Sequence, residues 1–140
     1  MHEAFYDAEV GILFLRFYGS VIGAETQSAT LKSVSELDSP SSVRGFFLDY
    51  REVNTMDMAD SDRALFGITV RKLLAMGLDI RNTTVTWVSD PTRADLTAIL
   101  SRRNAGLAMQ GANVALTGGE FPLEEAFQAM GLLKDYRLPY

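Results

Sequence analysis

One stretch constrains this chain more than any other: residues 45–62, GFFLDYREVNTMDMADSD. It is apolar at Phe46, Phe47 and Leu48, turns polar at Asp49 and closes in an acidic loop, and a long apolar run comes directly after it. That profile predicts a central strand, Arg44 to Tyr50, whose carboxyl end opens into the start of a helix. In open α/β sheets ligands bind beyond the carboxyl ends of such strands. The loop offers carboxylates and a serine but neither Cys nor His. It marks a place to look without naming a reaction.

The flanking residues predict alternating elements. Glu3 to Tyr6 reads as a short strand, Asp7-Ala8-Glu9 as a tight turn, and Val10 to Tyr18 as a strand closed by Gly19, the two forming an antiparallel hairpin. Gly23 to Leu37 reads as a helix with a narrow stripe of Leu31, Val34 and Leu37, and Asp38 to Ser42 as a breaker. Ala59 to Met76 has helical apolar spacing, with Gly77 placed as its cap. Asn82 to Val88 reads as a strand, and Asp90-Pro91 as the N-cap and first residue of a third helix ending at Gly106 or Met109. Asn113 to Leu116 is a last strand and Pro122 to Met130 a last helix, capped by Gly131. Leu132 to Tyr140 is a tail that docks or frays. The order predicts an α/β fold: a four- to five-stranded, mostly parallel sheet with an antiparallel N-terminal hairpin and about four helices.

A length of 140 residues suits one domain, residues 1–140, with one core. The net charge of −5 argues against nucleic acid as a partner, since an acidic chain repels phosphates. With no Cys there is no disulfide, thiolate metal site or cysteine nucleophile, which fits a reducing compartment. The N-terminus lacks a basic segment leading into an apolar one, and no apolar run has membrane-spanning length. The expectation is a soluble cytoplasmic protein without a membrane span.

Taken with VGILFLRFYG, FFLDYREVNTMD, TTVTWVSD and NVALTGGEFPLEEAFQAM, this order resembles the STAS and STAS-like superfamily of anti-sigma-factor antagonists. Sec14-type lipid-binding domains share a similar C-terminal architecture. In the phosphorylated antagonists the central strand ends in an aspartate followed by a serine or threonine that a partner kinase modifies. By position Asp57 matches the aspartate, and Met58, which cannot be phosphorylated, takes the hydroxyl's place. Ser61 lies three residues further on. The resemblance implies a fringe member without that switch.

The candidate binding residues for a ligand or partner are Asp49, Arg51, Asp57, Asp60 and Ser61. Asp49 and Arg51, two apart on a strand, point to one face, where they grip a ligand or pair with each other. Asp57, Asp60 and Asp62 offer hard oxygen ligands, but their spacing is not that of a calcium loop. Helix capping explains Asp60 or Ser61 more simply. His2, the only histidine, sits on a terminus with nothing to orient it. Gly118-Gly119 lacks the rest of a dinucleotide loop and reads as a turn. Arg93, Arg102 and Arg103 read as a solvated basic face.

No catalytic residue, metal or cofactor is called for. The leading expectation is a non-enzymatic STAS-like domain acting through a protein partner or through self-association as a homodimer. The alternatives are a carrier of a small apolar, lipid-like ligand and a hydrolase using the acidic loop 57–62. The wide apolar face of the second helix motivates the homodimer. Leu65, Ile68, Leu73 and Met76 form one stripe, with Phe66, Val70 and Leu74 beside it. A helix on a sheet buries about a third of its circumference. The remainder places Phe66 or Val70 at an interface, unless another segment of the chain covers them.

Overall fold

The computed structural model describes residues 1–57 and 62–140, and at residues 62 and 63 the backbone only. Five strands form one sheet: β1 (His2–Asp7), β2 (Ile12–Ile22), β3 (Gly45–Asp57), β4 (Thr84–Val88) and β5 (Asn113–Thr117), in the spatial order β1-β2-β3-β4-β5. β1 runs antiparallel to β2, and every other pairing is parallel. Four α-helices connect or succeed the strands: α1 (Gly23–Ser35), α2 (Asp62–Ala75), α3 (Ala94–Ala108) and α4 (Pro122–Ala129). The α/β fold expected from the sequence is present, with an antiparallel first hairpin. No helix among the described residues is long and apolar enough to cross a membrane.

The sheet is wound in one direction, and this fixes its two faces. Right-handed crossovers that always advance the same way put every connecting helix on the same side. Leu13, Leu15 and Phe17 of β2, Phe46, Leu48 and Tyr50 of β3, and Val85 and Trp87 of β4 share a core with Ala29 and Val34 of α1, Phe66 and Leu73 of α2, and Leu96, Leu100 and Leu107 of α3. The alternate residues Ile12, Phe14, Phe47 and Val88 point the other way, onto Ala126, Phe127 and Met130 of α4 and its neighbourhood. β2 and β3 are therefore covered on both faces, which explains their near-continuous apolar runs.

The tail completes the second face. Leu132, Tyr136, Leu138 and Tyr140 pack against its buried cluster. The Tyr136 ring stacks on Phe14 at 5.8 Å and meets Phe127 edge-on at 5.5 Å, and its hydroxyl donates to Asp7 Oδ2 at 2.7 Å. α4 closes in as tightly at Gly45, where a Cβ would lie 2.5 Å from the Met130 methyl and 3.0 Å from a backbone oxygen of β4.

Several boundaries differ from the sequence expectation. β2 does not close at Gly19 but continues to Ile22, and β3 continues from Tyr50 to Asp57. The two strands support each other beyond β4, pairing as far as Ile22 with Asp57. Gly19, at φ +69°, lets β2 absorb the register shifts there. α1 ends at Ser35, and Ile80–Asn82 is a 3₁₀ turn ahead of β4. Asp90 does not cap α3, because its carboxylate accepts the N–H of Thr92 within a tight turn and the helix begins at Ala94. α3 runs through Gly106 to a C-cap at Met109. The expected start of α2 at Ala59 lies outside the described residues.

The tail should be part of the folded unit. Ending the chain at Gly131 removes four half-buried side chains from the second face, each contributing on the order of 1 kcal/mol. Calorimetry should show a melting temperature lower by about 10 °C or more. Unchanged melting, with no gain in binding of an apolar dye, would mean that the tail covers nothing.

Candidate functional site

Two clusters of polar side chains stand out, one on each face of the sheet. On the second face Asp49 is 3% exposed. Its Oδ1 accepts the N–H of Arg51 at 3.1 Å and Arg51 Nε at 3.0 Å, and its Oδ2 accepts Arg51 Nη2 at 2.7 Å. The Tyr140 hydroxyl also donates to Oδ2, at 2.7 Å. Arg16 lies over the Tyr140 ring at 5.4 Å and is anchored by Glu52 at 2.6 Å and Glu3 at 3.1 Å. Both Asp49 oxygens are engaged and Tyr140 covers the carboxylate, while the Arg51 side chain stays 31% exposed. Of the two readings of Asp49 and Arg51, the geometry is that of mutual pairing.

Asp57 does not join them. Asp57 is exposed at the far end of β3. Eight residues of strand put it roughly 25 Å from Asp49. Asp60 and Ser61 lie outside the described residues. The strand order advances without reversal, so the sheet has no switch-point crevice of the kind that collects ligands. Beyond β4 the edge of β3 is met by Arg93, whose guanidinium donates to Val53 O at 3.3 Å and Asn54 O at 2.7 Å.

The helix-covered face holds the second cluster, which the apolar spacing alone did not lead us to expect. Arg103 is 1% exposed. Its Nη2 donates to Gly23 O at 2.9 Å and Gln27 Oε1 at 3.0 Å, and its guanidinium lies 5.4 Å from the Phe66 ring centre. Arg93, Arg102 and Arg103 therefore form no common basic face. Arg93 clamps an edge, Arg102 is exposed and Arg103 is core. The signal was the spacing of Leu96, Leu100, Arg103 and Leu107, which puts the arginine on the buried stripe of α3.

α1 meets this cluster with a polar face. Thr26, Gln27, Thr30 and Ser33 are buried on it, whereas the predicted stripe residues Leu31 and Leu37 are only half-buried. Thr30 and Ser33 donate to the carbonyls of Thr26 and Ala29, one turn back, at 2.7 Å each. Thr26 and Tyr50 share a hydrogen bond. Tyr50 stacks between Phe17 at 4.7 Å and Trp87 at 5.8 Å. Burial pushes the Tyr50 phenol up to about 12, against the opposing pull of Arg103 and the Thr26 hydrogen bond.

Between α1, α2 and the sheet lies a cavity of about 40 Å³, lined by Thr30, Phe46, Phe66, Val70, Leu73 and Trp87 among others. It has room for about three waters. Clefts for lipid-sized ligands are on the order of 300 Å³ or more. Phe66 is 6% exposed and belongs to this interior, and Val70 is half-buried beside it. The apolar residues that α2 turns outward are Ile68 and Leu74, 40% and 53% exposed.

The remaining candidates have local partners. His2 Nδ1 lies 2.9 Å from Glu25 Oε1, and the N-terminal ammonium 3.0 Å from the same atom. Those two contacts hold the Glu25 carboxyl below its usual range, although its partial burial pulls the other way. The N–H of Gly119 donates to Glu125 at 3.4 Å. Among the described residues no group of three or more His, Asp or Glu side chains is placed to hold a metal ion.

No protein-family model matches this sequence, and no curated protein or solved structure matches it.

The helix-covered face can be tested at two positions. Arg103→Met leaves Gln27 Oε1 and Gly23 O without their donor in the core, so it should cost about 2–4 kcal/mol in denaturant melts. Arg102→Met, at an exposed position, should change stability by less than about 0.5 kcal/mol. Equal effects would mean that Arg103 is not buried as described. For Tyr50, the raised pKa means that the folded state holds its proton more tightly than the unfolded state does. Its contribution is full below about pH 10 and is lost as pH rises towards about 12. Over that window Tyr50 should account for a fall of about 3 kcal/mol, and Tyr50→Phe should remove that part. It leaves the part due to Tyr136 and Tyr140, whose phenols are also pushed up by burial and by Asp7 and Asp49. An early phenolate signal for Tyr50 near pH 10 in ultraviolet titration would contradict its burial.

Proposed function

We propose that this chain is a STAS-like domain of the cytoplasm that acts without catalysis, by binding a protein partner or a second copy of itself. The observation that carries this reading is the outward face of α2. Ile68 and Leu74 are exposed there beside the exposed cations Arg71 and Lys72. Large apolar side chains grouped with charges are a common mark of contact surfaces on soluble proteins. The element order β-β-α-β-α-β-α-β-α, from which the resemblance was drawn, is the order of the fold and supports this reading. The mutual engagement of Asp49 and Arg51, midway along β3, supports a structural role for that pair.

A second reading, a carrier of a small apolar ligand, draws on the cavity beneath α1 and α2. At about 40 Å³ it admits a lipid-like molecule only if α2 moves outward.

Native mass spectrometry and light scattering separate the two. The expected result is an average mass that rises with concentration in the range of tens of micromolar, a binding free energy of roughly −6 kcal/mol, with no small molecule retained. Leu74→Arg should suppress the rise, while Phe66→Glu should unfold the chain instead, since Phe66 is core. Stoichiometric retention of an apolar ligand would replace this reading with the carrier.

A further inference from the structure

We infer that copies of this chain associate head to tail, the outward face of α2 on one copy docking into a groove beside α4 on the next. This rests on the self-association reading above and names both surfaces. The groove lies between α4 and the turn after it. It is open, about 400 Å³ in volume, and large enough to take side chains from another helix. Phe121, Phe127 and Leu132 supply its apolar lining, and Glu124, Glu125 and Lys134 its charges. Phe121, the N-cap residue of α4, is 57% exposed, an aromatic ring at the surface.

The occupant is chosen by complementarity. Among the residues of α2 with described side chains, the exposed ones are Ala64, Ile68, Arg71, Lys72, Leu74 and Ala75. Their spacing puts them along one side of the helix. This face presents two apolar side chains and two cations. The groove presents an apolar lining and two carboxylates, partly offset by Lys134. The chain as a whole carries a charge of −5, so most pairings of its surface with a second copy are repulsive. Pairing α2 with α4 brings opposite charges together around apolar side chains, the arrangement that fixes register between partners.

The topology then dictates the symmetry. α2 packs on one face of the sheet and α4 on the other, so the two surfaces belong to opposite sides of the molecule. A contact between them is heterologous. Each added copy leaves a free α2 at one end and a free groove at the other, and assembly continues past the dimer unless a ring closes.

The test uses the full chain, with Glu124→Lys and Lys72→Glu as variants. Both positions are exposed, and Glu125, whose carboxylate receives the Gly119 N–H, is left in place. Sedimentation at low salt should show the wild type growing beyond a dimer as concentration rises to roughly hundreds of micromolar, and weakening as salt is added. Each variant alone should lose affinity about tenfold or more. An equimolar mixture of the two should regain assembly, since the reversed groove accepts the reversed α2 and the unaltered surfaces still match. Circular dichroism should confirm that both variants are folded. A two-fold dimer indifferent to either substitution would overturn the α2–α4 contact and leave self-association standing. A wild type monomeric throughout would overturn the contact and self-association together, leaving a different protein as the partner. Failure of the mixture to recover would show that the two charges do not meet.

Discussion

The rest of the structure depends on winding a parallel sheet in one direction only. With right-handed crossovers and strand order β1-β2-β3-β4-β5, the three connecting helices have no choice of side. They cover one face and leave the other, with Ile12, Phe14, Phe47 and Val88, to be buried by the chain beyond β5. An eight-residue helix is too short to do this alone, at about 12 Å. The tail is recruited, with Leu132, Tyr136, Leu138 and Tyr140 packing beside α4. Tyr136 and Tyr140 suit the task because their rings bury apolar area while their hydroxyls reach Asp7 and Asp49 at the margin.

The helix-covered face solves a different problem. Phe17, Tyr50 and Trp87 stack across three adjacent strands and form a flat aromatic floor. α1 meets that floor with threonines and a glutamine rather than leucines. Such a face is tolerable only if its polar groups find partners. Most of them do: Thr30 and Ser33 bond back to their own helix, Thr26 bonds to Tyr50, and Gln27 Oε1 accepts from Arg103, while Gln27 Nε2 is buried with no partner among the described residues. Arg103 thus ties α3 to the start of α1 through the Gly23 carbonyl, 80 positions apart in sequence. Removing one member leaves the others exposed to an apolar interior, so the cluster behaves as a unit.

What the sequence made legible was whatever has a period. The near-continuous apolar runs of β2 and β3, the stripes of α3 and α4 and the element order are all visible in the apolar pattern. The limits of β2 and β3 were not, because Arg51 to Asp57 is polar and owes its strand state to pairing with β2 and to Arg93 on its other edge. Local propensity reads such a segment as a loop. Asp90 shows the same limit: its carboxylate closes a turn one step before the helix it was expected to cap. Arg103 was visible in the stripe spacing, but its charge suggested solvent, and only tertiary partners make its burial tolerable. The pairing of Asp49 with Arg51 was readable from their two-residue separation. The hydroxyl that seals them comes from residue 140, a contact no local pattern contains.

The same winding that buries the second face also sets where recognition can occur. Because β3 from Gly45 to Tyr50 is sheathed on both sides and Asp49 is engaged by Arg51 and Tyr140, the centre of the sheet offers little to an outside molecule. Among the surfaces that remain are the backs of the covering helices. α2 turns Ile68, Leu74 and two cations outward from one layer, and α4 turns Phe121 and its carboxylates outward from the opposite layer. A sheet reversing direction midway would have placed connecting helices on both faces and a crevice between them. This one has a front, a back and no reversal of strand order to open a crevice between helix layers, so any partner matched to both surfaces, including a second copy, meets the molecule along the axis through the sheet.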